Sequence, residues 1–196
     1  MGGNPTSMEA GRIAEQPYVD FVLKGEADLT FLDFVDLARE NHFPAEKVIE
    51  GTPKGVLDMN TLPFPAWHLM NMEKYFEIGM FHNPFVKSKR VGTIMTSRGC
   101  PFQCYFCSTP GYWGTKFRPM SAEKVVQMVS ELVRDYQIKE IQVLDDNFTV
   151  DYQRVLDICE GIKNFGLRIT FPNATRADLP RNLDLRRKMY EQLRAA

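Results

Sequence analysis

Three of the four cysteines in this chain lie within eight residues of one another, in a C-x3-C-x2-C order formed by Cys100, Cys104 and Cys107. The fourth, Cys159, stands alone farther along the chain. A disulfide framework normally distributes an even set of cysteines along a secreted chain. The first eleven residues lack the basic and apolar segments of a secretion signal. The crowded cysteines therefore predict metal or redox chemistry in a cytoplasmic protein.

The residues around the triplet favour a tight loop that can turn three sulfurs toward one centre. Gly99 allows backbone angles closed to other residues, and Pro101 fixes its own φ and lacks an amide proton. Three soft thiolates suit an iron-sulfur cluster, and a cubane held by only three cysteines keeps one iron open. Two alternatives remain: a zinc site completed by a distant ligand, and inert buried thiols. Cys159 follows an apolar helical segment, so we expect it to be a core residue.

Composition narrows the class of protein. The 196 residues leave room for one domain or parts of two, and 44% of them are hydrophobic against 25% charged, as in a folded globular protein. Lys and Arg total 24 against 25 for Asp and Glu. This balance provides no field that would gather nucleic acid or an anionic membrane surface. No apolar stretch reaches the 18 or so residues of a membrane span. We therefore expect neither a nucleic-acid nor a membrane partner.

Hydrophobic periodicity after residue 91 predicts alternating strands and helices. The predicted strands are 93–97, 140–144 and 167–171; the predicted helices run from a cap at Ser121 to Tyr136, over 152–165 with Gly166 at the end, and over 182–193. Such alternation indicates an α/β fold with parallel strands, in which the loops after the strands hold the site. The loops in question are 100–107, 145–148 and 173–176, and we expect their side chains to converge.

The first ninety residues are less regular. Residues 18–23 have the composition of a strand and residues 28–39 the periodicity of an amphipathic helix. Five prolines between residues 41 and 90 predict an ordered but irregular connector.

The cysteine triplet, with Phe106 before its last member and with Trp113-Gly114 and Arg118 after it, resembles the signature of radical S-adenosylmethionine (SAM) enzymes. More narrowly it resembles the branch with a cobalamin-binding domain in front of the radical domain. The resemblance implies a [4Fe-4S] cluster on Cys100, Cys104 and Cys107, whose open iron chelates the amino and carboxylate groups of SAM. Electron transfer then yields methionine and a 5′-deoxyadenosyl radical.

The resemblance also implies a domain order. Residues 91–196 would be the N-terminal half of a partial (βα) radical SAM barrel with about three βα units, residues 41–90 a connector, and residues 1–40 the remnant of a Rossmann-like cobalamin-binding domain. The polypeptide then resembles an internal fragment. The D-x-H-x-x-G motif that carries the cobalamin ligand is absent from these residues. In the alternative interpretation, residues 1–39 are one βα element of a single domain.

The implied SAM contacts lie in all three loops. Phe106 occupies the position that contacts adenine, and Asp145, Asp146 and Asn147 lie where the family places polar residues near the SAM amino group. A carboxylate prefers a guanidinium fork, which makes Arg176 the candidate for the methionine carboxylate. The alternatives are a helix-capping turn at 145–147 and a surface charge at Arg176.

The implied reaction in the full-length protein is methyl transfer to an unactivated carbon or related radical chemistry, on a small-molecule substrate of unknown identity. It would use cobalamin and an external electron donor such as flavodoxin or ferredoxin, and no side chain is assigned a catalytic role. A methylthiotransferase would require further cysteines. An electron-transfer or structural cluster module would require a fourth ligand, for which Cys159 is the candidate.

Overall fold

The computed structural model describes residues 4–79, 81–82 and 85–195, so residues 1–3, 80, 83–84 and 196 of the predicted domains lie outside the described part. The chain forms two compact units. The first combines Met1–Asp58 with Gly99–Arg118, and the second combines Met59–Arg98 with Pro119–Ala196. The predicted domain boundaries at residues 40 and 90 stay a prediction about the parent protein.

The described chain alternates short strands and helices. The strands are β1 Val22–Lys24, β2 Val48–Glu50, β3 Val91–Ile94, β4 Ser97–Arg98, β5 Arg118–Pro119, β6 Glu140–Val143 and β7 Arg168–Thr170. The α-helices are α1 Asn4–Met8, α2 Ala10–Ala14, α3 Thr30–Arg39, α4 Met72–Ile78, α5 Thr109–Tyr112, α6 Ala122–Tyr136, α7 Tyr152–Ile162 and α8 Leu183–Ala195. Single 3-10 turns cover Trp67–Leu69, Phe148–Val150 and Lys163–Phe165.

The first unit contains a small parallel sheet. β1 pairs with β2 in a register that places Val22 opposite Val48. Ala10 and Ala14 of α2 pack with Val19 and Val22 into a small buried core. The strand predicted at 18–23 is observed as Val22–Lys24, the three residues that pair with β2.

The second unit contains a three-stranded parallel sheet in the order β3-β6-β7. β6 is central and all four of its residues are buried. Ile141 lies opposite Gly92 on one side and Ile169 on the other. The predicted α/β fold with a parallel sheet is confirmed, and closure of these strands into part of a barrel stays a prediction.

Local signals in the sequence explain where the helices of the second unit begin and end. The Ser121 hydroxyl accepts a hydrogen bond from the Lys124 amide at 3.2 Å, which caps α6 as predicted. After α7 and its 3-10 turn, Gly166 adopts a left-handed φ of 63°, the predicted terminus. A Cβ on Gly161 of α7 would lie 2.4 Å from a Val126 methyl group of α6. Glycine at that position therefore allows the two helices to pack closely.

Two predictions about secondary structure were wrong in detail. The connector contains regular elements, β2 and α4; the Asn71 side chain caps α4 and Gly79 ends it in a left-handed conformation. The first strand of the sheet ends at Ile94 rather than at residue 97. It ends there because the Thr96 amide donates to the carboxylate of Asp145, at 2.6 Å, instead of to a neighbouring strand. Across the described ranges, the helices lack the combined length and apolar character needed to cross a membrane.

Candidate cofactor site

The cysteine loop, residues 99–118, belongs to the first unit and presents its thiols to the surface. Cys104 and Cys107 are exposed and Cys100 is half-buried. The Cys107 amide donates to the Cys104 carbonyl at 3.0 Å, so the last two cysteines lie on one turn. The aromatic side chain of Phe106 between them is 90% exposed. A side chain of this size on the surface is available to a ligand.

The donor set of the cysteine loop fits an iron-sulfur cluster. The loop carries one exposed cation, Lys116, and no carboxylate, which suits a cofactor bound through negative thiolates. None of the four cysteines is in a disulfide. Within the described ranges, no three His, Cys, Asp or Glu side chains are gathered tightly enough for a single metal ion. A cubane does not require this, because each cysteine binds a different iron.

A second polar cluster lies in the second unit, where β3 and β6 end; we call it the strand-end network and define it as Thr96, Ser97, Asp145 and Arg154. The Asp145 carboxylate accepts bonds from the Thr96 amide and hydroxyl, both at 2.6 Å, and from the Ser97 hydroxyl at 2.5 Å. Arg154 of α7 donates to the Thr96 hydroxyl at 2.6 Å and to the Thr96 carbonyl at 3.0 Å. All four residues are buried. The network therefore fixes the backbone at Thr96, three residues before the cysteine loop begins.

Burial controls the ionisation of the network. Burial raises the pKa of the Asp145 carboxyl above its ordinary value, although the bonds from Ser97 and Thr96 oppose the shift. Burial also lowers the pKa of Arg154, and the charge of Asp145 opposes that shift. Each charge thus favours the ionised form of the other.

The other two polar residues of this loop differ from Asp145. Asp146 is half-buried, whereas Asn147 is 4% exposed. The side-chain oxygen Oδ1 of Asn147 accepts hydrogen bonds from the Thr149 amide at 3.3 Å and from the Thr149 hydroxyl at 3.0 Å, the geometry of a capping turn. Its side-chain amide nitrogen is buried without a hydrogen-bond partner among the described residues. An unsatisfied buried donor calls for a ligand or a water molecule.

Arg176 lies in the loop after β7 and binds a neighbouring carboxylate. Its guanidinium donates two bonds to Asp178, at 2.9 and 2.6 Å, and its side chain is 38% exposed. The bond from Arg176 lowers the pKa of Asp178. In the same loop, the Asn173 side chain donates to the Leu144 carbonyl at 2.8 Å and joins the loop to the end of β6.

The structure thus brings together the strand ends of the second unit. Thr96 contacts Asp145, and Leu144 contacts Asn173. The position of the cysteine loop above this edge stays a prediction.

Our sequence analysis missed Thr96, Ser97 and Arg154. One signal was present for Arg154: it shares the helical spacing of the buried residues Ile158 and Ile162 in α7, which places a cation on an apolar face. Cys159 is buried on the same helix, as predicted, and burial raises the pKa of its thiol to about 11.

Comparison with known proteins adds relatives of known class. The chain is 42% identical over 118 residues to cytidylyl-2-hydroxyethylphosphonate methyltransferase of Streptomyces wedmorensis, covering 60% of this chain and 22% of that protein. It is 37% identical over 175 residues to an uncharacterized methyltransferase of Pyrococcus horikoshii, covering 84% of this chain and 36% of the relative. The chain thus spans about a fifth to a third of the length of these relatives.

A solved structure and a family profile agree with these matches. The fold is similar to that of the cobalamin-dependent SAM radical enzyme OxsB, solved with aqua-cobalamin and SAM bound, with a TM-score of 0.71 at 21% identity. That match covers 100% of this chain and 29% of OxsB. The profile of the radical SAM superfamily matches residues 94–194, more than half of the chain and including all three clustered cysteines. The chain therefore belongs to the radical SAM superfamily.

Proposed function

We propose that this chain is part of an enzyme that reductively cleaves SAM at a [4Fe-4S] cluster and, in the full-length protein, transfers a methyl group with the help of cobalamin. One observation carries the proposal: two exposed thiols and a third half-buried thiol on one carboxylate-free loop, inside a segment that matches the radical SAM profile. Cys100, Cys104 and Cys107 would hold the cluster. When bound, the cluster and SAM supply one-electron cleavage of a carbon-sulfur bond and a carbon radical.

The chain's own residues would bind and orient SAM. Phe106 offers an exposed aromatic face for the adenine ring. The buried amide nitrogen of Asn147 is a donor still to be satisfied, and half-buried Asp146 adds a carboxylate that an amino group could bind. The carboxylate of Asp145 is occupied by Thr96 and Ser97, so its contribution would be to fix the strand end. Arg176 would bind the methionine carboxylate by sharing or leaving Asp178.

The rest of the parent protein would supply what this chain lacks. We infer that residues 91–196 are half of a partial barrel, residues 41–90 a connector, and residues 1–40 the end of a Rossmann-like cobalamin-binding domain. An external reductant such as flavodoxin or ferredoxin would deliver the electron, and the substrate would be a small molecule. Thiols that must stay reduced suit a cytoplasmic location.

Methyl transfer is supported by the names of the two relatives, both methyltransferases. An electron-transfer module would use a fourth cysteine. Cys159 is poorly suited to that role, because burial keeps its thiol protonated at neutral pH. A methylthiotransferase would need further cysteines, and these 196 residues contain four.

Anaerobic reconstitution tests the cluster and its use. We expect about four irons per chain and a changed EPR spectrum of the reduced cluster when SAM is added. Cys104→Ala should abolish iron binding, whereas Cys159→Ala should retain it. Zinc uptake in place of iron and sulfide, or a cluster whose spectrum ignores SAM, would contradict the proposal.

Methyl transfer is tested separately in the full-length parent. Turnover of SAM to both S-adenosylhomocysteine and 5′-deoxyadenosine, dependent on added cobalamin, is the expected result. Formation of 5′-deoxyadenosine alone in the presence of cobalamin and substrate would favour another radical reaction.

A further inference from the structure

The two ends of the cysteine loop touch at their backbones. Gly99 opens the loop with a left-handed φ of 78°, and a Cβ at this position would lie 2.3 Å from the Lys116 carbonyl oxygen. The same Cβ would lie 3.3 Å from the Gly114 carbonyl oxygen. Glycine is therefore required for the closed stem of the loop, because any side chain would separate its two ends.

Arg118, which ends the loop, is a buried cation held by four acceptors. Its side chain is 5% exposed and forms a fork with Glu26, with Nη1 2.9 Å from Oε2 and Nη2 2.5 Å from Oε1. Nη1 also donates to the Leu57 carbonyl at 3.2 Å, and Nη2 donates to the Trp113 carbonyl at 3.2 Å. One guanidinium thus connects two distant parts of the N-terminal segment to the backbone of the loop, six residues after Cys107.

Hydrogen bonds of the backbone at Gly25 and Glu26 hold Glu26 in place. Its carbonyl accepts the Thr52 amide at 2.8 Å, and the neighbouring Gly25 amide donates to the Ser7 hydroxyl at 2.8 Å. A Cβ on Gly51 would lie 2.4 Å from the Glu26 carbonyl oxygen, so the chain passes closely at this point. The carboxylate that accepts hydrogen bonds from Arg118 therefore belongs to a closely packed part of the first unit.

We propose that Glu26 and Arg118 are positioning residues for the cluster: the pair orients the stem of the cysteine loop through the Trp113 carbonyl, and so determines how firmly the three cysteines hold iron. The proposal rests on the proposed function of the cysteines. It assigns to the N-terminal segment a role in the iron site that is independent of cobalamin. Partners that orient metal ligands commonly change metal affinity by about 10–100-fold when they are removed.

The test measures iron loss from the reconstituted chain to a chelator, together with thermal stability. Glu26→Gln removes the charge and keeps the shape, and Arg118→Lys keeps the charge and removes the fork. We expect both variants to lose iron at least about tenfold faster than the wild type. Glu50→Gln is the matched control, since its exposed pair with Lys24 joins β1 to β2, and it should lose iron at the wild-type rate.

A double variant, Glu26→Leu with Arg118→Met, separates positioning from folding. Replacing a buried ion pair by apolar residues of similar volume often preserves stability. We therefore expect melting near the wild-type temperature but iron loss as fast as in the single variants, because the Trp113 carbonyl still lacks its donor. Wild-type retention of iron in the folded double variant would overturn the proposal. Should that variant not fold, wild-type retention in Arg118→Lys would overturn it equally.

The wild-type chain keeps the two proposals apart. A wild type that takes up no iron-sulfur cluster refutes the proposed function. A wild type that takes up a cluster responsive to SAM, beside variants that hold iron equally well, refutes only the role of Glu26 and Arg118.

Discussion

The cysteine loop and the strand-end network both lie next to the ends of strands, yet their polar groups differ in how far they are exposed. Cys104 and Cys107 lie on the surface beside the exposed rings of Tyr105 and Phe106. Asp145, by contrast, is 2% exposed and accepts three hydrogen bonds from the protein. Polar groups that serve the fold are buried with partners, whereas groups that serve a ligand are left accessible.

The comparison shows that position after a strand does not by itself identify a ligand contact. Asp145 lies in the loop where a SAM contact was expected, but its carboxylate is used by Thr96 and Ser97. Asn147, two residues later, shows both kinds of group in one side chain. Its side-chain oxygen accepts a hydrogen bond from Thr149, whereas its side-chain nitrogen is buried without a partner among the described residues.

The largest effect on stability is expected from Asp145→Ala. The substitution leaves the buried Thr96 amide and Ser97 hydroxyl without their acceptor and removes the carboxylate charge that favours the buried Arg154 cation. The free energy of unfolding should therefore fall by about 3–5 kcal/mol. Urea denaturation would measure this change in the free energy of unfolding. Asp157→Ala removes an exposed carboxylate that accepts a bond from Gln153 on the same helix, and should change stability by less than about 0.5 kcal/mol.

A different result for Asp145→Ala would break the comparison. Wild-type stability combined with weakened SAM binding would make Asp145 a direct ligand, as the family resemblance implies. The strand-end network would then be incidental to the fold.

The next effect concerns the reactivity of the thiols. Burial raises the pKa of Cys159 from 9.0 to about 11. With this higher pKa, Cys159 has about a hundredfold less thiolate at pH 8 than a thiol of pKa 9.0 would have. Thiolate is the form that reacts. In the reduced, cluster-free chain, iodoacetamide should therefore modify exposed Cys104 and Cys107 at least about a hundredfold faster than Cys159.

Mass spectrometry of the digested chain would follow this labelling site by site. Labelling in denaturant is the control, where the four cysteines should react alike. Equal rates in the folded chain would mean that Cys159 is accessible, and would revive it as a cluster ligand.

A smaller effect is expected from Gly99→Ala, at the stem of the cysteine loop. The left-handed φ and the approach of the Lys116 carbonyl should together cost about 1–3 kcal/mol of stability and reduce iron uptake. Gly111→Ala in the same loop is the matched control, because a Cβ there meets nothing within 4 Å. Equal iron content in the two variants would show that the closed stem is irrelevant to the cluster.

The sequence predicted the second unit well because its signals are local. Ser121 and Gly166 mark helix ends through short-range chemistry, and the alternation of apolar runs between them predicts parallel strands. The cysteine spacing similarly identified the thiols of the cofactor site. The errors arose where local signals mislead: the density of prolines in the connector concealed α4, although no proline lies within its residues Met72–Ile78.

The supporting contacts could not be predicted, because they join residues far apart in the sequence. Asp145 and Thr96 are separated by 49 positions, and Arg118 and Glu26 by 92. No periodicity or spacing connects such pairs in a single sequence. The sequence identified Arg118 only as part of a family signature. The fold alone shows that Arg118 and Glu26 are buried and paired.

The smallest effect on the fold is expected from Arg176→Ala, which makes Arg176 the cleanest test of a binding group. Its ion pair with Asp178 is exposed and should change the melting temperature by less than about 2 °C. If the guanidinium binds the methionine carboxylate, the variant should bind SAM about tenfold more weakly, measured by titration of the EPR signal. Asp178→Asn, which releases the guanidinium, should bind SAM at least as tightly as the wild type. Wild-type affinity in Arg176→Ala would place Arg176 with the solvated surface charges and leave the Asn147 side-chain nitrogen, which is buried without a partner among the described residues, as the group that calls for a ligand.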